Sequence, residues 1–383
     1  MRFIFASDSF KGSLSSEETA ELLNRAAREI FPGCETVSIP VADGGEGTTE
    51  ALLRERSGER VYLDVSDPLM NQTEVYYGRL SETEAIIEMA QASGLTLVQP
   101  DRRNPLYTST YGTGEMLNEA LNAGCRDIYL AIGGSATNDG GMGCMRALGV
   151  CFYDSSGKEL QGFGRDLEEV ARIDITGLNP RIRDARFTVM CDVENPLCGK
   201  NGATYTFGSQ KGGTAEILDR LEAGMENYRE VLTREFGMDP NDIPGSGAAG
   251  GLGAALCIFL KAEMRSGIET VLDLVNFDHV IKDADLIVTG EGRTDFQSSF
   301  GKVLNGVGER AKRQGIPAVA LCGSLGEGYE KIFEHGISSI MTTVDRPMTI
   351  GEAMERVEEL YYQGALRLFR MIRAGREIDE KFT

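Results

Sequence analysis

Acids and hydroxyls are interleaved with glycine at four places in this chain. The first two read Val41-Ala42-Asp43-Gly44-Gly45-Glu46-Gly47-Thr48 and Ile132-Gly133-Gly134-Ser135-Ala136-Thr137-Asn138-Asp139-Gly140-Gly141. The other two read Gly245-Ser246-Gly247-Ala248-Ala249-Gly250-Gly251 and Thr289-Gly290-Glu291-Gly292-Arg293-Thr294-Asp295. Glycine lets the backbone pass through positive φ and lets a ligand rest directly on main-chain N–H groups. Such turns form nests that bind phosphate, above all at helix N-termini. The interleaved carboxylates would repel a bare phosphate, so a cation has to stand between them. Together these features point to a nucleotide carried with Mg²⁺. Glycine also marks ordinary tight turns, but 47 of the 383 residues are glycine, well above the usual level of about 7%. Each cluster interrupts an apolar strand or helix pattern and does not form a low-complexity tract.

Single charged residues add to this. Lys11 follows the first strand of the chain, with Asp8 three residues before it, and the ends of strands are where α/β sheets place ligands. Asp192 and Asn195 follow an apolar strand at 187–191 and precede Pro196; a strand-end Asp suits a metal, although an Asx turn ahead of proline competes. Gln210-Lys211-Gly212-Gly213 either caps the next helix or contacts phosphate. Gly245–Gly250 spells G-x-G-x-x-G, but Asp239-Pro240-Asn241-Asp242-Ile243-Pro244 before it is loop chemistry, whereas a dinucleotide fingerprint needs a strand there. Gly290-Glu291-Gly292 does follow a strand, yet Asp295 replaces the third glycine. No Walker motif is present, since Gly301-Lys302 is followed by Val303 and lacks the Mg²⁺-binding hydroxyl. Eight cysteines without a C-x-x-C pair suit reduced thiols, and the two histidines, His279 and His335, are isolated, which argues against zinc or imidazole chemistry.

The elements that must hold these residues alternate. Residues 2–6 read as a strand, Ser15 and Glu18 have capping-box spacing, and a helical pattern runs to Ile30 before Pro32-Gly33. A strand at 36–40 and a helix opened by the glycine loop at 43–47 follow. The middle differs: short alternating segments at 61–80, a strand at 85–89, a helix at 113–122, a strand at 127–132, and helices at 215–236 and 250–264. From residue 285 regular alternation returns, with strands at 285–289, 317–322 and 337–343 and helices near 302–314, 328–335 and 349–373. The expectation is an α/β protein of two α/β domains. Residues 1–65 and 268–383 would form a discontinuous Rossmann-like domain, and 66–267 a second α/β domain inserted into it.

Composition narrows the function. A formal net charge of −20 argues against nucleic acid and against docking on an anionic membrane. The uncharged stretch 243–260 is long enough to consider as a membrane span, but Pro244 and five glycines within it favour a buried loop and helix. The apolar start Phe3-Ile4-Phe5-Ala6 runs straight into Ser7-Asp8, so no secretory signal is expected. The expected setting is cytoplasmic, as a monomer or homodimer.

At this point the chain resembles a known family, the bacterial glycerate kinases of the two-domain type. The resemblance rests on Asp8-Ser9-Phe10-Lys11, the loops at 41–48 and 132–141, Asp192-Val193-Glu194-Asn195-Pro196-Leu197, Phe207-Gly208-Ser209-Gln210-Lys211-Gly212, 247–256 and 289–295. These motifs stand in the family's order across nearly the whole chain. Ser209 and Leu304 depart from it, each standing where proline is common, and both read as changes of backbone shape. The resemblance implies ATP- and Mg²⁺-dependent phosphorylation of a glycerate hydroxyl in a cleft between two lobes, with 2-phosphoglycerate the favoured product. Candidates for catalysis are then Asp8, Lys11, Asp192, Glu291 and Asp295. Candidates for the metal are Asp43, Glu46, Asp139 and Asp192. Nucleotide phosphates would meet Gly44, Gly45, Gly133, Gly134, Ser135, Lys211, Gly250, Gly251 and Lys302, and the substrate Lys11 and Arg293. Two rival readings are a nicotinamide-dependent hydroxy-acid dehydrogenase and a non-catalytic sensor of a small organic acid. Surplus acids in the loops count against the sensor, because an acid-binding pocket gains nothing from carboxylates without a metal.

Overall fold

Phe3, Ile4, Phe5 and Ala6 are all buried, the mark of a strand covered on both faces. In the computed structural model, which describes residues 1–10, 12–42, 44–45, 47–299 and 302–379, they form the strand Arg2–Ser7. The chain is mixed α/β and divides into two units, Met1–Asp43 with Ile268–Thr383, and Gly44–Gly267.

The first unit is built on a five-stranded sheet in the order Ile337–Thr342, Ala318–Cys322, Leu286–Gly290, Arg2–Ser7, Glu35–Ser38. Every neighbouring pair is parallel, so each connection must cross over the sheet. The first crossover is the helix Ser16–Ile30, started by the expected capping box: Ser15 accepts from the Glu18 N–H and Glu18 accepts from the Ser15 N–H. Its buried stripe includes Leu22, Leu23, Ala26 and Ala27, and it packs beside the C-terminal helix Val357–Asp379. Phe369 of that helix sits against Phe3 and Phe5. The order of strands reverses between Arg2–Ser7 and Leu286–Gly290, giving the 2-1-3-4-5 arrangement whose ligands gather at that reversal. Arg310 locks the helix Val303–Gln314 onto the rest of the unit by pairing with Glu269, Asp273 and Asp278.

The second unit holds a six-stranded sheet in the order Glu263–Arg265, Arg186–Met190, Asp127–Ala131, Glu84–Glu88, Gln72–Arg79, Glu59–Ser66. The first four strands are parallel and the last two form an antiparallel hairpin. Its core joins Leu130 and Val189 of the sheet to Met116 and Leu117 of the helix Tyr111–Asn122, Met225 of Ala215–Phe236 and Leu252 of Leu252–Leu260.

Three segments differ from the periodicity reading. Residues 250–264 are not one helix: Gly250 and Gly251 have φ of 68° and 91°, and the helix ends at Lys261, itself left-handed at 55°. The chain then forms the edge strand Glu263–Arg265. The 349–373 pattern is two helices, Ile350–Glu355 and Val357–Asp379, and 328–335 is the 3₁₀ helix Tyr329–His335. No helix among the described residues is long and apolar enough to cross a membrane.

Candidate active site

The reversal of strand order in the first unit is occupied by sequence-predicted residues. Asp8 directly follows Arg2–Ser7, and its N–H donates to the Gly290 carbonyl at 2.9 Å, which ties it to the end of the neighbouring strand. One carboxylate oxygen accepts from the Ser9 N–H at 2.7 Å. Gly290 is required by close approach, because a Cβ there would lie 2.1 Å from the Leu321 carbonyl oxygen. The strand can therefore run flush to its last residue and deliver Glu291 beside Asp8.

Glu291 is buried, and its carboxylate accepts from the Ser298 hydroxyl. Burial pushes its carboxyl above the usual range, while the Ser298 hydrogen bond and the Lys302 charge oppose that rise. Asp295 is more open and stands 3.5 Å from the Arg293 guanidinium. Lys302 is the N-cap of the helix Val303–Gln314, which has no side-chain cap. All five of these charged residues line one cavity of about 760 Å³. The end of the last strand and the segment after it add Val344, Pro347, Met348 and Met354 to the lining, together with Arg346 and three threonines.

In the second unit the predicted glycines gather at the C-terminal ends of the parallel strands. Gly133 and Gly134 are exposed just beyond Asp127–Ala131, and Gly133 lies beside the Gly45 backbone. Gly44 packs closely on Gly267 and Met190. Asp192 is exposed after Arg186–Met190 and accepts from the Gly267 N–H at 3.0 Å.

Four other predicted residues lie beneath this loop surface. Lys211 is buried and donates from Nζ to the Ser135 hydroxyl at 2.7 Å and to the Thr137 carbonyl at 2.6 Å. Burial pulls its ammonium down to about 7, with the Asp139 charge opposing. Asp139 is fully buried and accepts from the N–H and hydroxyl of Thr110 and from the N–H groups of Gly141 and Gly143. Burial nonetheless raises its carboxyl above the usual range. Gly250 and Gly251 are buried against the same loop; a Cβ on Gly250 would meet the Thr137 carbonyl oxygen at 2.1 Å. These groups hold the 133–141 loop in shape from behind. The G-x-G-x-x-G string follows the 3₁₀ turn Pro240–Asp242, not a strand, and a Cβ on Gly247 would lie 2.2 Å from the Pro196 carbonyl. Gly245, Gly247 and Gly250 are all buried, and a turn stands where a dinucleotide fingerprint needs a strand, which weakens the feature that favoured a nicotinamide cofactor.

Lys11, Asp43 and Glu46 lie outside the described residues. Among the described residues, no group of three or more His, Cys, Asp or Glu side chains could hold a metal by itself. Mg²⁺ is commonly bound by one or two carboxylates together with substrate phosphates and water and not by an all-protein cage. Asp8 and Asp295, on one cavity, fit that role. Two parts of the site escaped the sequence reading. Glu88 ends Glu84–Glu88, is buried and accepts from the Thr49 N–H at 2.7 Å; the strand-end logic that selected Asp192 would also have selected it. The apolar wall comes from residues after Ile337–Thr342, a region without glycine or acid clusters to mark it.

Comparison with known proteins settles the family. A model described as the glycerate kinase family matches residues 3–373. The chain belongs to the glycerate kinase family. It is therefore a phosphotransferase. A glycerate kinase of Halalkalibacterium halodurans is 44% identical over 94% of this chain and 96% of that one. The glycerate 2-kinase of Escherichia coli K12 is 44% identical over 92% of this chain and 93% of its own length. A crystal structure from Salmonella typhimurium LT2, provisionally named glycerate kinase 2, superposes with a TM-score of 0.88 at 40% identity and covers 98% of this chain and 99% of that one.

Proposed function

We propose that this glycerate kinase family member transfers the γ-phosphoryl group of MgATP to D-glycerate, with 2-phosphoglycerate the favoured product. The observation that carries this reading is the single cavity at the strand reversal, where Asp8, Glu291 and Asp295 meet Arg293 and Lys302. Phosphoryl transfer asks for those parts: positioning, cationic neutralisation and a carboxylate that orients the attacking hydroxyl. Glu291 is the base. Its burial favours the protonated form, so it accepts the hydroxyl proton more readily than an ordinary carboxylate. Arg293 holds the glycerate carboxylate through its planar fork, and Lys302 neutralises phosphate charge. Lys11, outside the described residues, stays a candidate for the same work on its place in the sequence alone. Asp8 and Asp295 would hold Mg²⁺, with Asp192, Asp43 and Glu46 the corresponding acids of the other loops. When bound, the ion neutralises charge on the β- and γ-phosphate oxygens. Gly133 and Gly134 are exposed and Gly45 is half-buried beside them, so this glycine loop surface, with Gly44 packed beneath it, is the candidate phosphate nest of the second unit. We place the protein in the cytoplasm, on its eight free cysteines. A coupled ADP-release assay tests the reading: D-glycerate with MgATP should give steady ADP formation that neither component alone supports. Absence of glycerate-dependent ADP would remove it.

A further inference from the structure

The first unit's cavity is larger than glycerate requires, and its lining joins two chemistries. Its volume of about 760 Å³ falls in the range of about 300–1,000 Å³ that drug-sized ligands fill. Glycerate is a handful of atoms, most of them polar, with almost no apolar surface to bury. The cavity's charged residues, Asp8, Glu291, Arg293, Asp295 and Lys302, come from the strand reversal and its following loops. The end of the last strand and the segment after it add Val344, Pro347, Met348, Ile350 and Met354 to the lining, with three threonines between and before them. Arg346, also in that wall, is already paired with Glu352 at 2.7 Å. Ile350 is 81% exposed and Met354 44%, so the helix Ile350–Glu355 presents large apolar side chains to water at the cavity wall. Apolar surface of that kind beside a concave site marks a place where a ligand lies. A ligand with apolar faces at one end and several negative charges at the other matches both halves.

We propose that this cavity seats the nucleoside of the phosphoryl donor, with the base against Val344, Pro347, Met348 and Met354 and the phosphates directed to Lys302. The proposal rests on the MgATP reading and adds to it, since it assigns the base to the segment after the last strand and not to the glycine loops of the second unit. Dispersion and burial hold the base there.

Photolabelling of the full chain with 8-azido-ATP and Mg²⁺, followed by peptide mapping by mass spectrometry, tests this directly. The expected result is label within residues 342–357 that excess ATP prevents. ATP-protected label at 133–141, at 245–251 or elsewhere, or no protected label, overturns the proposal. Binding of mant-ADP to variants gives a second arm. Ala353→Trp, which fills the cavity from a half-buried position, should weaken binding tenfold or more, as should Met354→Asp at its exposed site. Unchanged affinity in a variant shown to be folded by circular dichroism overturns it. The two readings separate: label at 342–357 without glycerate-dependent ADP keeps the nucleoside site and removes the substrate, and turnover with label elsewhere does the reverse.

Discussion

At the scale of single residues, two acids in the loop after the strand Leu286–Gly290 and one buried lysine carry the chemistry to be tested. Glu291 and Asp295 share the cavity, but only Glu291 is buried. Glu291→Gln removes the proposed proton acceptor and should lower kcat by about 100-fold or more. Asp295→Asn should lower it on a similar scale and raise the Mg²⁺ requirement. Both variants should stay folded, since loop amides replacing loop carboxylates rarely change stability much. Near-normal turnover in a folded Glu291→Gln enzyme would return this loop to a structural turn. Lys211 makes a different prediction. Burial brings its ammonium from 10.5 down to about 7 in the folded chain. Between those values the unfolded chain holds the proton and the folded chain does not. The stability from Lys211 is therefore complete above the unfolded value and is lost as pH falls to 7. The stability difference between wild type and Lys211→Met, from urea unfolding, should grow from pH 7 to pH 9 by on the order of 1–3 kcal/mol. A difference that stays flat with pH would contradict the assignment.

At the scale of elements, glycine serves two purposes that the sequence does not distinguish. Gly47 precedes the helix Thr48–Glu55 with φ of 91° and has open space where a Cβ would go. Gly47→Ala should cost about 1–2 kcal/mol, the strain of the left-handed region alone. Gly250 has φ of 68° and its Cβ would strike the Thr137 carbonyl, which is backbone and cannot step aside. Gly250→Ala should cost more than about 3 kcal/mol and, by pushing the 133–141 loop, impair turnover as well. Urea unfolding of the two variants checks the ranking, and equal losses would contradict it. The same ambiguity sets the limit of what the sequence reveals. Alternating strands and helices were readable because apolar runs such as Phe3-Ile4-Phe5 and the Ser15–Glu18 capping box are local signals. So was the placing of Asp8, Glu291 and Asp192 after strands. Local pattern could not say that Gly250, Gly251, Lys211 and Asp139 lie under a loop whose exposed face is Gly133-Gly134. Depth depends on which segments stack, and that is decided by contacts between residues far apart in the chain, such as Lys211 with Ser135 and Gly250 with Thr137. The apolar wall at 344–354 was invisible for the opposite reason: ordinary side chains acquire a role only by facing a cavity.

At the scale of the whole molecule, the proposed reaction asks a chain of net charge −20 to admit two anions, a nucleotide and an organic acid. The long-range field opposes both, so the work of capture falls to a few cations, Arg293 and Lys302 in the described cavity and Lys11 outside the described residues. Family membership establishes phosphotransfer, and the cavity chemistry carries the proposal that the acceptor is D-glycerate and the donor MgATP. Time-resolved phosphorus NMR of the purified chain with D-glycerate and MgATP tests that claim most directly. The expected result is loss of the γ-phosphate resonance in step with growth of one phosphomonoester resonance, that of 2-phosphoglycerate. Loss of the γ-phosphate to inorganic phosphate alone, or an unchanged spectrum, would contradict it.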